Sequence, residues 1–170
     1  MNYVIPAIIM ALLNNFTGYY ILKKRDTRDK TYDLGHNILP DISKLNKKNI
    51  FNDGLFIVAL IIGFLNRSKL DDKFFKTAAY MYGARAITTI VTTFQNGREP
   101  GSGEGLMNYT NDYIFSGHVT ASILISYFTG KLWPTLPILA SLSTIATHEH
   151  YTIDVVIAWL IFYALKCIEI

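Results

Sequence analysis

The sequence predicts an all-α protein, a single integral-membrane domain over residues 1–170 built as a six-span transmembrane helical bundle. Hydrophobic residues make up 51% of the chain, and the charges crowd into Lys23–Lys48 and Arg67–Lys76, which leaves long windows almost without charge. This segregation is typical of a multi-pass membrane protein, because each helix that crosses the hydrocarbon core needs ~20 apolar residues. A soluble core would alternate polar and apolar faces throughout.

Six apolar segments account for the predicted helices. They are Tyr3–Leu22, Ile50–Leu65, Phe74–Phe94, Tyr113–Gly130, Leu132–Thr147 and Ile153–Cys167. The first lacks a basic leader and a convincing cleavage site, so it is expected to be retained as a span. The glycine-rich stretch Asn96–Gly105 is predicted to be a flexible connection before the fourth segment. Several segments are shorter than the nominal span, and tilting of the helix or thinning of the bilayer has to accommodate them.

Composition excludes some classes of protein and partner. The single Cys167 excludes an internal disulfide framework. A formal net charge of +3, carried by bases in the loops, does not indicate a nucleic-acid partner. The lipid bilayer is the partner that the sequence predicts, and the oligomeric state stays open.

Two histidines are predicted to lie at the same membrane face. His118 lies near the start of the fourth segment, and His150 stands at the junction of the fifth and sixth. Between them the chain is predicted to cross the membrane once in each direction. Two histidines at one level of a helical bundle can share a site. More of the loop bases lie on this side than on the opposite one, which favours a cytoplasmic site by the positive-inside rule.

His150 and Asp154 are four residues apart in "HYTID", so on a helix their side chains share one face. The carboxylate can fix the tautomer of the imidazole and leave the other nitrogen as a nucleophile for phosphorus. A pair that only holds helices together is the alternative. Ionisable residues inside membrane spans favour the catalytic interpretation.

A phosphate site is predicted around "FSGH". Gly117 lets a bound anion approach the backbone, and Ser116 and the N–H groups at a helix start suit phosphate oxygens. His118 would be the second acid–base group. Arg85 lies near the middle of the third segment, where a buried guanidinium needs a partner such as a phosphate diester, although a snorkelling or packing arginine is the alternative. Arg98 is a less secure candidate in the loop.

No metal and no cofactor are predicted. "HEHYT" is not a zinc-protease helix, because Thr152 stands four residues after His148. A metal site from His148, His150 and Asp154 is an alternative, but His148 is expected to point away from the face that the other two share. His36 is expected to be solvated or to order its loop. Asp112 is expected to lie at the depth of the lipid headgroups, as Ser116 and His118 do; a cap of the fourth helix is the alternative.

Three runs together resemble the lipid phosphatase superfamily that works through a phosphohistidine, and most closely its sphingomyelin synthase family. They are "RAITTIVTT" at Arg85–Thr93, "NDYIFSGHVT" at Asn111–Thr120 and "HEHYTIDVVIAWL" at His148–Leu160. "DLGHNILPD" at Asp33–Asp41 is also similar to the loop after the first span in this family. The phosphatases usually have an arginine six residues before the second histidine, and Thr144 at that position resembles the synthases instead.

The resemblance implies His150 as the nucleophile, Asp154 as its orienting partner and His118 as the acid–base group. It implies transfer of phosphocholine, or a related headgroup, from a glycerophospholipid to ceramide, with diacylglycerol as by-product and no cofactor. It also implies a site on the lumenal or outer face, against the charge bias. Phe94 stands where the family commonly has a proline, and the loop Gln95–Asn111 is short, which leaves headgroup and acceptor choice open.

Three readings of the function follow. The first is a headgroup transferase of the sphingomyelin synthase type, with diacylglycerol as acceptor in a close variant. The second is a lipid phosphate phosphatase or phospholipase C-like hydrolase on the same scaffold. The third is a membrane scaffold or transporter, which would need none of the residues His118, His150 and Asp154.

Overall fold

The computed structural model describes residues 4–20, 33–45, 50–91 and 115–168. All regular structure in these ranges is helical and none of it is a strand, which confirms the all-α prediction. The helices are α1 (Val4–Tyr20), α2 (Leu34–Ile38), α3 (Ile50–Leu65), α4 (Asp72–Val91), α5 (Gly117–Thr129), α6 (Thr135–Ala146) and α7 (Thr152–Cys167), with a 3₁₀ turn at Arg67–Lys69. The predictions for Arg98, Asp112 and the glycine-rich connection lie outside the described residues.

Each predicted apolar segment corresponds to one helix, and two of these begin slightly before the predicted bound: α4 at Asp72 instead of Phe74, and α7 at Thr152 instead of Ile153. Only α2 is additional, a five-residue helix in the first loop that begins after Asp33, whose carboxylate caps it at the N–H of His36. In the described ranges, no helix has both the length and the apolar character that a membrane crossing requires. The crossing of a membrane by six spans stays a prediction.

Helix α5 lies at the centre of the bundle. It packs against α3, α4, α6 and α7, while α1 lies along α4. Small residues let these helices approach α5 closely: Ser122 and Ser126 lie on α5 itself, and Gly63 of α3 meets the side chain of Ile125. Larger apolar side chains fill the remaining space in the core; they include Met81, Phe115, Val119, Ile123, Leu124 and Phe162.

The outer side of the bundle is also apolar. Large hydrophobic side chains are exposed along the outward faces of α1, α3, α6 and α7; among them are Ile8, Leu12, Phe16, Ile57, Ile61, Phe64, Leu139, Leu142, Val156 and Leu160. Buried side chains, by contrast, include many hydroxyls, among them Thr89, Thr120, Ser122, Ser126, Ser141 and Thr144. Exposed large apolar side chains on several helices are typical of a surface that contacts protein or membrane.

One end of the bundle carries the polar contacts between helices. Asn52 and Asp53, in the first turn of α3, contact Thr147 at the end of α6 and His118 at the start of α5 respectively. Because Thr147 closely precedes His150, both predicted histidines lie at this end of the bundle. Their common end agrees with the prediction from helix parity.

Candidate active site

The His150–Asp154 pair lies where α7 begins. Oδ2 of Asp154 lies 3.2 Å from Nδ1 of His150 and accepts a 2.8 Å hydrogen bond from the backbone N–H of Tyr151, the residue before α7. Asp154 is fully buried and His150 is 5% exposed. The two side chains meet, as the spacing of four residues predicts, although α7 starts only at Thr152 and does not include His150. The Asp154 carboxylate reaches back to the N–H of Tyr151 as in a capping box, and the same oxygen meets the ring of His150.

The turn between α6 and α7 holds the backbone of His150. The carbonyl of Thr144 accepts hydrogen bonds from the N–H groups of Glu149 and His150, at 3.0 and 3.2 Å. His148 in this turn has a φ of 56°, in the left-handed region that allows so tight a reversal. Asn52 donates a 2.8 Å hydrogen bond to the Thr147 hydroxyl and so ties the turn to α3.

The first loop clamps the start of α7 from the other side. The carboxylate of Asp33 accepts two 2.7 Å hydrogen bonds from Thr152, one from its N–H and one from its hydroxyl. The Thr152 hydroxyl in turn accepts from the N–H of Gly35 at 2.9 Å. Nε2 of His36 lies 2.9 Å from the carbonyl oxygen of His150, so this loop contacts the predicted nucleophile directly.

The electrostatics of the clamp favour the ionised form of Asp33. Burial alone raises the pKa of Asp33, but hydrogen bonds from the Thr152 hydroxyl and from the N–H groups of His36 and Thr152 outweigh it. The net pKa of Asp33 therefore lies below its ordinary value. A charged acceptor makes these hydrogen bonds stronger than neutral ones.

His148 belongs to the loop contact rather than to the pair at α7. Its ring stacks on His36 with the centroids 4.1 Å apart, and its Nε2 lies 4.0 Å from Oδ1 of Asp41. The expectation that His148 points away from His150 and Asp154 agrees with this arrangement. In the parts of the chain that the structure describes, no three His, Cys, Asp or Glu side chains are grouped to hold a metal ion. His36 was expected either to be solvated or to order its loop, and these contacts agree with the second role.

The "SGH" run forms the start of α5. Ser116 caps the helix, and its hydroxyl oxygen accepts from the N–H of Val119 at 3.3 Å. His118 is the second residue of the helix and is 7% exposed, and its Nε2 lies 3.1 Å from Oδ1 of Asp53. Asp53 has a quarter of its side chain exposed. The aromatic ring of Phe56 meets the imidazole edge-on, with centroids 5.3 Å apart.

Arg85 lies beside this helix start. Its Nε donates a hydrogen bond to the carbonyl oxygen of Phe115, and the side chain is 6% exposed. The guanidinium also lies against Gly117, where an added Cβ would sit 3.5 Å from Cζ. A buried guanidinium and the backbone N–H groups at a helix start together provide the donors that an anion needs.

The structure thus brings the predicted residues into two groups at one end of the bundle. Arg85, Ser116, Gly117 and His118 form the first, and His150 and Asp154 form the second. The sequence alone did not single out Asp53, which contacts His118 of the first group, or its neighbour Asn52, which contacts Thr147 in the turn before His150. Both are polar residues in the otherwise apolar second segment. A polar residue in such a segment indicates a functional or structural contact, and this was the feature that could have revealed them.

A family model described as "PAP2 superfamily C-terminal" matches residues 110–169. The match supports the lipid phosphatase/phosphotransferase superfamily. The PAP2 match covers about a third of the chain and includes Ser116, Gly117, His118, His150 and Asp154, whereas Arg85 and Asp53 lie outside it. No curated protein and no solved structure matches the chain significantly.

The PAP2 superfamily match supports an enzyme of the phosphoryl-transfer or hydrolase type that acts on lipids. The two histidine groups are candidates for such chemistry. One imidazole can bond to phosphorus while the other moves a proton. The catalytic roles of the individual residues stay predictions.

Proposed function

We propose that this protein transfers a phosphocholine, or related, headgroup from a glycerophospholipid to ceramide through a phosphohistidine, giving a sphingomyelin-type lipid and diacylglycerol. The observation that carries the proposal is the buried His150–Asp154 pair at the same end of the bundle as His118. The PAP2 match supports the class of chemistry. The resemblance of the three sequence runs to sphingomyelin synthases supports transfer to ceramide in particular.

The first half of the reaction forms the covalent intermediate. Asp154 accepts the Nδ1 hydrogen of His150, so the neutral ring carries its lone pair on Nε2. Nε2 attacks the phosphorus of the donor, a P–N bond forms, and the bond from phosphorus to the glycerol oxygen breaks. Protonated His118 gives its proton to that departing oxygen, which leaves as the hydroxyl of diacylglycerol.

The second half runs in the opposite sense. His118, now neutral, takes the proton from the primary hydroxyl of the acceptor as its oxygen attacks the phosphorus. The P–N bond breaks, the electron pair returns to Nε2 of His150, and the headgroup leaves on the acceptor. Both histidines return to their starting protonation states, so no metal or cofactor is needed for proton or group balance.

The negative charge on the phosphoryl oxygens has to be stabilised by hydrogen-bond donors that the protein holds in place. Arg85 beside the first turn of α5, together with the backbone near Gly117, is proposed to bind the non-bridging oxygens. The Ser116 hydroxyl, which caps α5, lies at the same position and is proposed to contribute a donor. These donors would act most strongly on the transition state, where charge on these oxygens is greatest.

A bilayer setting is part of the proposal. The exposed apolar faces of four helices suit contact with lipid tails, and small and hydroxyl-bearing side chains between the helices suit a membrane bundle. The polar end of the bundle would then lie at the depth of lipid headgroups. We place it on the lumenal or outer face, following the resemblance rather than the loop charges.

The principal alternative is a hydrolase on the same scaffold, which uses water as the acceptor in the second half. Thr144 bears on this choice, because the phosphatases that the sequence resembles usually carry an arginine there. The Thr144 hydroxyl is fully buried and donates within its own helix to the carbonyls of Ala140 and Ser141. A synthase is therefore favoured, although exclusion of water decides between transfer and hydrolysis.

The deciding experiment supplies headgroup-labelled phosphatidylcholine and a fluorescent ceramide to membranes that contain the protein. Label on the ceramide supports the transferase, whereas label released as soluble phosphocholine identifies the hydrolase. If no label moves from phosphatidylcholine, phosphatidylethanolamine replaces it as donor. Absence of transfer and hydrolysis with both donors contradicts the proposal and favours the non-enzymatic reading. The His150→Ala variant, prepared in the same way, corrects for activity from contaminating enzymes.

A further inference from the structure

Asp53 is an ionisable residue in a helix that is otherwise apolar apart from Asn52. It stands in the first turn of α3, and the segment that follows, from Leu55 to Leu65, carries no charge. Its Oδ1 lies 3.1 Å from Nε2 of His118, whose side chain is only 8% exposed. Phe56 from the same helix contacts the same imidazole. Helix α3 thus supplies both a hydrogen-bond acceptor and a packing surface to one ring.

The contact constrains which nitrogen of His118 carries hydrogen. An ionised carboxylate only accepts hydrogen bonds, so a 3.1 Å contact requires the hydrogen to be on Nε2. A neutral ring then has its lone pair on Nδ1, and a protonated ring has hydrogen on both nitrogens. Proton exchange with a substrate is left to Nδ1 in either case.

We propose that Asp53 is a positioning residue for His118: it keeps hydrogen on Nε2 throughout the cycle, so that Nδ1 alone exchanges the proton with the lipid oxygens. This inference rests on the proposed function, in which His118 is the acid–base group. The proton balance is unchanged, because Nδ1 gives one proton to the departing diacylglycerol and takes one from the acceptor.

The two histidines then present opposite ring nitrogens to the phosphoryl group. Asp154 holds Nδ1 of His150 at 3.2 Å, which assigns Nε2 to the bond with phosphorus. Asp53 holds Nε2 of His118, which assigns Nδ1 to the proton. Each histidine therefore has its own carboxylate, one from α7 and the other from α3.

A structural role for Asp53 is the competing explanation. A carboxylate in the first turn of a helix stabilises that helix whatever else it contacts. Asp71 provides a matched control, because its carboxylate accepts from the N–H of Phe74 at the start of α4. It lies at the other end of the bundle, two residues beyond Lys69, which binds the carbonyl at the end of α5.

The test uses the full chain in lipid nanodiscs, with ¹⁵N-labelled histidine for nuclear magnetic resonance and headgroup-labelled phosphatidylcholine with ceramide for kinetics. His118→Gln identifies the His118 signals. We expect hydrogen on Nε2 in the unchanged protein and a mixture of tautomers in Asp53→Asn, since an amide both donates and accepts. We also expect kcat to fall ~10- to 100-fold with KM for the donor unchanged, which is less than the ~10²- to 10⁴-fold contribution of a general acid–base group itself, because Asp53 only positions that group.

The control variants separate positioning from helix stability. Asp71→Asn should change neither the tautomer nor kcat, and Asp53→Glu should restore part of the kcat lost in Asp53→Asn. Hydrogen on Nδ1 with a lone pair on Nε2 in the unchanged protein overturns the inference. It is also overturned if Asp53→Asn keeps both tautomer and kcat, or if Asp53→Asn and Asp71→Asn lower kcat equally.

Failure of the proposed function gives a different result. If the unchanged protein moves no headgroup but His118 still carries hydrogen on Nε2 in an Asp53-dependent way, the pairing stands and the enzymatic role falls. If Asp53→Asn does not fold, the tautomer of the unchanged protein and the Asp53→Glu variant still decide the question.

Discussion

Thr152 and Asp33 lie 119 residues apart in the chain, yet the Thr152 hydroxyl donates a 2.7 Å hydrogen bond to the Asp33 carboxylate. The Thr152 backbone N–H donates to the same carboxylate, so Asp33 caps α7 from a distant loop. Asp33 also caps α2 through the N–H of His36. One buried carboxylate therefore joins the first loop to the helix that carries Asp154.

This clamp predicts a measurable coupling energy between its two residues. In Asp33→Asn the amide cannot accept both hydrogen bonds of Thr152, and in Thr152→Val the hydroxyl is lost. We expect each single variant to lower the free energy of unfolding by ~1–3 kcal/mol, because a buried polar group is left unpaired. The double variant should cost less than the sum of the two, as residues in contact couple.

Unfolding in detergent micelles, followed by circular dichroism, measures this cycle. Asp41→Asn is the matched control, because Asp41 lies in the same loop with its side chain half exposed, where it accepts from the N–H of Ser43 and lies 4.0 Å from His148. It should change stability little, as exposed interactions contribute little. Additive effects of Asp33→Asn and Thr152→Val would contradict a direct interaction.

The clamp also predicts a dependence of stability on pH. Hydrogen bonds from Thr152 and His36 outweigh burial and hold the pKa of Asp33 below its ordinary value of 3.8. A lowered pKa in the folded state stabilises the fold fully above 3.8, and this contribution is lost as pH falls below 3.8 through the folded-state pKa. Unfolding free energies measured across this range should fall less steeply for Asp33→Asn than for the unchanged protein. Parallel curves would show that protonation of Asp33 does not change the free energy of unfolding.

The proposed mechanism predicts different defects for the two histidines. His150→Ala should abolish both transfer and the labelling of the protein by headgroup-labelled donor, because the nucleophile is gone. His118→Ala should slow transfer by ~10²- to 10⁴-fold, the usual contribution of a general acid–base group. Rapid mixing with labelled donor, followed by denaturing electrophoresis at alkaline pH, measures both quantities. Label on the protein in His150→Ala at the level of the unchanged chain would exclude His150 as the nucleophile.

Two substitutions of Asp154 separate its effect on the orientation of His150 from its effect on folding. Asp154→Asn keeps the shape of the buried side chain but loses the charge that fixes the His150 tautomer, so we expect transfer to fall ~10²-fold or more. Asp154→Ala also leaves the Tyr151 N–H without its acceptor and should lower the free energy of unfolding by ~1–3 kcal/mol. Initial rates and thermal unfolding on the same preparations measure the two effects. Equal loss of stability in both variants, with little loss of rate in either, would indicate a purely structural pair.

The sequence predicted the helices well because each is one apolar run between charged or glycine-rich connections. It also singled out three candidate site residues: His118 and Asp154 as polar groups in apolar segments, and His150 because it stands four residues before Asp154. It placed the start of α7 within one residue, at Ile153, but it could not show the cap, in which the Asp154 carboxylate reaches back to the N–H of Tyr151. The contacts of Asp33 and Asp53 join helices that are far apart in the chain, and the spacing of residues within one segment carries no information on such contacts.

Arg85 tests whether the start of α5 binds a phosphoryl group. Arg85→Lys keeps the positive charge but loses the planar set of donors that binds the Phe115 carbonyl and lies against Gly117. We expect kcat to fall more than KM rises, by ~10- to 100-fold, since the lost donors act mainly on charge in the transition state. Arg67→Lys is the matched control, because Arg67 is exposed in the 3₁₀ turn and contacts the ring of Phe64. Steady-state transfer rates over a range of donor concentrations separate kcat from KM, and an equal, small effect of both substitutions would assign Arg85 to packing alone.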